Sequence, residues 1–238
     1  MKVVELWRYP VKSLQGELLD RAAVTPTGLA GDRAFAIFDA DTGLGLTARR
    51  VPELLFGRAR ASGDEGVEIE LPDGSVAHDD GALSRWLGRD VTLRAAATGG
   101  PREYENPLDF EDEDTSAWIR FRGSRGAFHD SDRTQVSLLS TRTIGAWDRR
   151  RFRANVIVDG GDEDDLVGIR VRAGEAALDV VQQIPRCVMT TRPQPDGIDR
   201  DLDVLRVINL ERAGHLAVGA LVVQPGVVRV GDELTPCD

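Results

Sequence analysis

The chain has 238 residues, of which 41% are apolar, and a formal net charge of -10, enough length for one large domain or two small ones with proper cores. That acidic balance argues against broad nucleic-acid or anionic-membrane binding, since either partner needs a basic surface. Two cysteines, Cys187 and Cys237, make a disulfide framework implausible. The opening "MKVVELWRYP" has no apolar stretch fit for a leader or a membrane span, so a cytoplasmic protein is expected.

In chain order, "KVVELW", "AAVTP", "AFAIFDA", "LLFGRARA", "VEIELPDGSVA" and "VTLRAAA" are short apolar or alternating runs broken by Gly, Pro and Asp. They predict strands and hairpins at the spacing of a barrel or sandwich. Within them "DDGALSRWLG", residues 79–88, places Leu83, Trp86 and Leu87 at helical spacing and predicts one short helix with Asp80 as its cap. Residues 98–115 turn to Gly, Pro and acid and read as a linker. Beyond it "VSLLS" predicts a strand and "STRTIGAWDRRRF" a helix capped by Ser140 or Thr141. "ANVIVDG", "VGIRVRA", "AALDVVQQ", "HLAVGALVVQ" and "GVVRVGDEL" return to strand, with a further helix at "DLDVLRVINLERAG". The expected fold is mainly β (α+β): two β-rich barrel-like units, residues 1–97 and 116–238 around the linker, with a few short helices.

The chain carries no Walker loop, no G-x-G-x-x-G after a strand, no C-x-x-C and no G-x-S-x-G. Its histidines, His78, His129 and His215, are too dispersed for a zinc spacing and read as surface or loop residues. The acidic runs "DFEDED" (109–114) and "DEDD" (162–165) read as solvated loops rather than metal sites. Of 30 basic residues only Lys2 and Lys12 are lysines, which makes Lys12 informative. Cys187, in "QIPRCVMTTRP", ends a strand-like run beside Arg186 and ahead of loop chemistry. A buried small hydrophobe is one reading. A neighbouring cation that favours the thiolate, as nucleophile or soft-metal ligand, is the other.

Read together, "LWRYPVKSLQG", "AGDRAFAIFD" with "LTARRVPEL", "RFRANVIVDG", "EDDLVGIRV", "PRCVMTT" with "PDG", and "GVVRVGDEL" resemble the MOSC family preceded by its N-terminal β-barrel, over nearly the whole chain. They are similar to the mitochondrial amidoxime reducing components and their bacterial relatives. The resemblance implies the molybdenum cofactor (Mo-molybdopterin), with Cys187 as metal ligand and catalytic centre. It also implies cofactor-binding roles for Lys12, Ser13 and Arg33, for Arg133 and Thr134, for Arg153 and Asn155 of "RFRAN", and for Arg186. Two departures stand out: Leu221 where the amidoxime reducers carry a tyrosine near the cofactor, and Leu166 where tryptophan is frequent, the latter expected to alter packing only.

The implied activity is reduction of N-hydroxylated compounds. Since the chain has neither a dinucleotide fingerprint nor cysteines for an iron–sulfur centre, electrons are expected from a separate donor protein, a ferredoxin or cytochrome with its reductase. The alternative is a carrier of molybdenum cofactor, or of sulfur as a Cys187 persulfide, without redox turnover. A third possibility, a binding module without catalysis, makes Cys187 dispensable. Neither nucleic acid nor membrane is expected as a partner.

Overall fold

The computed structural model describes residues 1–63, 66–110, 113 and 115–237. The chain is mostly β with few helices. Its largest sheet begins with the strand Lys2–Arg8, where Val3 and Leu6 are fully buried and a bulge between Val3 and Glu5 keeps both facing inward. Eight strands form that sheet in the order Leu234–Pro236, Arg170–Ala173, Ala176–Pro185, His215–Gln224, Val136–Ser140, Val156–Asp159, Lys2–Arg8, Glu17–Leu19. All five residues of Val136–Ser140 are buried, as expected of a central strand covered on both faces. Val3, Leu6, Leu138, Val158, Val171, Leu178 and Val218 anchor the core on one side of it. Leu139, Phe152, Ile157, Val204 and Ile208 form a second cluster that takes in the helix Asp203–Arg212.

The compact units do not follow chain order. One contains Met1–Arg8, Gly16–Asp32 and Asp132–Asp238, the other Tyr9–Gln15 and Arg33–Ser131. This differs from the boundary expected at residue 97, and strand pairing is the reason. Lys2–Arg8 pairs antiparallel with Val156–Asp159, and Arg21–Thr25 with Gly226–Arg229, so two N-terminal segments complete sheets made by the C-terminal half. Residues 98–115, expected as a linker, include the strand Glu103–Pro107, which pairs with Trp118–Arg122. Residues 111, 112 and 114 of the acidic run there lie outside the described residues.

The unit of Tyr9–Gln15 and Arg33–Ser131 holds three small sheets and the helix Asp80–Leu87. Asp79 rather than Asp80 caps this helix, accepting from Ala82 N at 2.7 Å, while Asp80 Oδ1 accepts from Leu93 N at 2.9 Å. The Phe38 ring packs against Tyr104 and Phe128 with centroids 6.0 and 5.7 Å apart. In the other unit the helix expected from residue 140 runs only over Thr141–Ile144, capped by Ser140, because Gly145 leaves it at φ 57 and Arg149–Arg151 turn as a separate 3-10 segment. Among the described residues no helix is long and apolar enough to cross a membrane.

Candidate functional site

The strand Ala176–Pro185 is irregular: its register to His215–Gln224 shifts at Ala177/Leu178, Val180/Gln182 and Gln183/Pro185. Bulges re-aim side chains and cluster beside functional sites. Here they lead directly into Arg186 and Cys187. Cys187 opens the 3-10 turn Val188–Thr191, and its carbonyl accepts from Thr190 N at 3.1 Å and Thr190 Oγ1 at 3.0 Å. The thiol is free and half-buried. Thr191 Oγ1 closes the same turn onto Val188 O at 2.8 Å.

What fixes the turn is a residue that sequence reasoning missed. Arg151 is 8% exposed and donates through Nη1 to the Thr190 and Arg192 carbonyls at 3.1 and 3.3 Å, and through Nη2 to the Asp199 carbonyl at 2.6 Å. Arg150 adds an ion pair to Asp196 at 3.0 Å while gripping Asp148 at 2.8 Å. That Arg150 hydrogen bond is the main reason the Asp148 carboxyl titrates below the ordinary range. The run "RRRF" is therefore the brace of the "CVMTTRPQPDG" loop. Composition gave no signal for it, since an arginine is unexceptional here.

The expected cofactor residues of this unit differ in how they are used. Arg186 commits Nε to Leu216 O at 2.6 Å and Nη1 to Phe152 O at 2.9 Å, fastening the thiol's strand to its neighbours. Asn155 is buried; its Oδ1 accepts from Ser137 N and Oγ at 3.2 and 3.0 Å, and its Nδ2 donates to Trp7 O at 3.2 Å, so it knits three strands together. Thr134 Oγ1 accepts from Gln182 Nε2 at 3.0 Å. It lies so close over Gly219 that a Cβ there would come within 2.4 Å of it, which is why the neighbouring strand carries glycine. Arg133 is exposed and Arg153 half-buried.

Lys12, Ser13 and Arg33 belong to the other unit and are brought together within it. Backbone bonds Arg33 N to Tyr9 O, Phe35 N to Pro10 O and Lys12 N to Phe35 O, at 2.7, 2.9 and 2.8 Å, lay the two segments side by side. Ser13 Oγ accepts from Ala48 N at 3.0 Å, leaving its hydroxyl hydrogen to donate elsewhere. The Lys12 ammonium is buried against Phe128 O and pairs with Asp130. The Arg33 guanidinium lies 5.0 Å from the Tyr9 ring centroid.

Backbone geometry sets some of these residues apart. Ser13, Arg33 and Arg153 sit at φ 71, 50 and 53, in the left-handed region that non-glycine residues avoid at a cost of roughly 1–2 kcal/mol.

Elsewhere the structure corrects one expectation. The run "DEDD" is not a solvated loop, because Glu163 is fully buried. Its carboxylate accepts from Ser140 N, Thr143 Oγ1, Ala217 N and Arg212 Nη2 at 3.2, 2.6, 3.3 and 3.4 Å. His129, read as a surface or loop residue, lies in a loop and is 8% exposed. Leu166 joins the main core cluster, so that position is a matter of packing, and Leu221 is half-buried opposite Asp179.

The chain is 26% identical over 249 residues to a protein named molybdenum cofactor sulfurase from Drosophila grimshawi, an alignment covering 93% of this chain and 32% of that protein's length. Among solved structures it is similar to the YUAD protein of Bacillus subtilis, with 15% identity, a TM-score of 0.44, and coverage of 98% of this chain and 93% of that one. It is also similar to YiiM of Geobacillus stearothermophilus, with 17% identity, a TM-score of 0.38, and coverage of 58% and 73%. Residues 1–105 match the MOSC N-terminal beta barrel domain and residues 125–235 the MOSC domain, and the chain belongs to the MOSC family.

Proposed function

We propose that the chain binds the molybdenum cofactor with Cys187 as the protein's sulfur ligand to the metal, and that it reduces N-hydroxylated compounds with electrons from a separate donor protein. The observation that supports the reading is the match of residues 1–105 and 125–235 to the two MOSC family domains, together with a free, half-buried Cys187 thiol at the start of a braced turn. The donor set fits the group. Lys12 contributes an ammonium, Ser13 a hydroxyl, Arg33 and Arg153 guanidinium groups, and Cys187 a soft sulfur such as molybdenum accepts. When bound, the cofactor would supply the two-electron chemistry that reduction of an N-hydroxyl group requires. The balance is R–NHOH plus two electrons and two protons, giving R–NH2 and water.

The chain's own residues do the positioning. Arg151 holds the turn that starts at Cys187, and Arg186 fastens the strand leading into it. Thr190 pins the Cys187 carbonyl, so the backbone that carries the ligand is fixed before any metal arrives.

The test is metal analysis together with turnover. Protein made in a host that synthesises the cofactor should carry about one molybdenum per chain, and should reduce an amidoxime or hydroxylamine with a low-potential dye. Nicotinamide-driven turnover should require a reductase and a small ferredoxin or cytochrome, at a rate that falls with salt because the chain carries a net charge of -10. A fully active Cys187→Ala variant overturns the proposal. Similarity to a protein named molybdenum cofactor sulfurase favours a second reading, carriage of the cofactor or of sulfur on Cys187. A fully molybdenum-loaded protein inert with every reductant would select it.

A further inference from the structure

Residues of the helices Thr141–Ile144 and Asp203–Arg212 line a cavity of about 290 Å³ that lies within a single compact unit. Its walls are fixed from behind. Val204 and Ile208 seat the second helix in the core, and the Trp147 ring packs edge-on against Phe152 with centroids 5.8 Å apart. Arg212, the last residue of that helix, is shared by the Asp162, Glu163 and Asp164 carboxylates, the first two at 3.8 and 3.4 Å. Thr143 Oγ1 is spent as well, donating to Glu163 at 2.6 Å.

Two charged groups on the cavity are not spent. Among the described residues, the Arg142 guanidinium and the Glu211 carboxylate make no hydrogen bond and no ion pair, either with each other or with another side chain. The Trp147 indole N–H is likewise uncommitted. What the cavity offers a ligand is therefore one cation and one anion, carried on different elements, with half-buried Trp147 and Val207 as its apolar wall.

The surrounding charge is polarised in the same sense. Asp162, Glu163 and Asp164 outnumber Arg212, so the end that carries Arg212 and Glu211 has a negative excess that suits an ammonium. Arg142 suits a carboxylate, whose two oxygens match its planar fork. A simple acid or a simple amine would satisfy one of these groups and leave the other. A molecule with both charges satisfies the pair.

We propose that this cavity binds a small zwitterion, an amino acid with an apolar side chain, its carboxylate on Arg142, its ammonium at Glu211 and its side chain against Val207 and Trp147. A compact cavity of this volume is about 8 Å across, which admits one amino acid and excludes a folded peptide or a dinucleotide. Neither Cys187 nor the arginines that brace its turn line it, so the site goes beyond the N-reduction reading and does not depend on it.

Calorimetric titration of the full chain with L-leucine tests it, beside isocaproate, which lacks the amine, and isoamylamine, which lacks the carboxylate. Leucine should saturate a single site, and each singly charged analogue should bind at least about tenfold more weakly, the worth of one charged hydrogen bond. Arg142→Gln and Glu211→Gln change exposed side chains that the fold does not use, so each should weaken leucine by a similar factor without moving the melting temperature. Arg206→Gln removes an exposed charge of the same helix, one paired with Asp203 and away from the cavity, and should leave leucine affinity as it is. Cys187→Ala should also bind leucine as the wild type does. The proposal falls if leucine shows no saturable binding, if either analogue binds as tightly as leucine, if either Arg142→Gln or Glu211→Gln matches the wild type, or if Arg206→Gln or Cys187→Ala weakens binding as much as they do.

Discussion

Replacing Arg151 with methionine tests whether the turn after Cys187 is held from below. The change removes three charge-assisted hydrogen bonds, to the carbonyls of Thr190, Arg192 and Asp199 at 3.1, 3.3 and 2.6 Å. At roughly 1.5–3 kcal/mol each, the gross loss is about 4.5–9 kcal/mol. Against it, methionine spares the several kcal/mol needed to desolvate a guanidinium whose hydrogen-bond acceptors are neutral carbonyls, so the net loss should be about 2–4 kcal/mol. In a chain of this size that corresponds to a melting temperature lowered by roughly 5–15 °C. The loss should also be local. In a Cys237→Ser background, alkylation of Cys187 by an uncharged maleimide should accelerate, because the turn opens more often than the whole unit does. Arg151→Lys should recover part of the stability, since one ammonium cannot span three carbonyls as the planar fork does. Stability within about 1 kcal/mol of wild type, together with an unchanged labelling rate, would refute the bracing role.

Other expectations follow from the same geometry. Arg153→Gly removes the penalty of φ 53 and should leave stability unchanged or raise it by up to about 1 kcal/mol while molybdenum content falls; a clear loss of stability would contradict the strain argument. Cys187→Ala should keep its cooperative unfolding and lose turnover, read by thermal denaturation beside metal analysis. Glu163→Gln keeps the size of a fully buried side chain but takes one of three carboxylates from Arg212 and must satisfy four donors with a neutral amide, so chemical denaturation should show a loss of about 2–4 kcal/mol. Asp148 titrates below its usual 3.8 because Arg150 bonds its charged form, so its stabilisation is complete above that value and lost as the pH falls through and below it. Asp148→Asn should accordingly flatten the acid limb of a stability–pH profile, and an unaltered limb would show that the pair contributes nothing.

Much of the local structure was legible because it is dictated locally. The run "KVVELW" marked the first strand, though only the bulge between Val3 and Glu5 brings Val3 and Leu6 to one face, and the spacing of Leu83, Trp86 and Leu87 marked the helix Asp80–Leu87. The division into units was not, because the partner of Lys2–Arg8 is Val156–Asp159, about 150 residues away, and nothing in either segment names the other. Charge was the other blind spot. Glu163 stands in an acidic run whose composition says solvent, yet four donors converge on it and make it a core residue. Arg151 is hidden among many arginines for the same reason: burial of a charge is decided by the groups that meet it, not by its neighbours in the chain. Cys187 and Lys12 were visible because their types are rare here.

The strained positions show what type and pattern leave undetermined. Six non-glycine residues among those described have positive φ. Ala213 ends the helix Asp203–Arg212 in the left-handed turn common at that position. Asp196 lies in the "PDG" turn, where aspartate tolerates the conformation and Arg150 holds its carboxylate. Ala217 is held by the buried Glu163, which accepts its N–H at 3.3 Å. Ser13 is the third residue of the turn that Leu14 N closes onto Val11 O at 3.3 Å, and Arg153 directly follows the 3-10 segment Arg149–Arg151 and its cap Phe152, where chains commonly leave in the left-handed conformation. Positive φ at these positions is therefore a property of the turns that carry them, and does not by itself mark a ligand site.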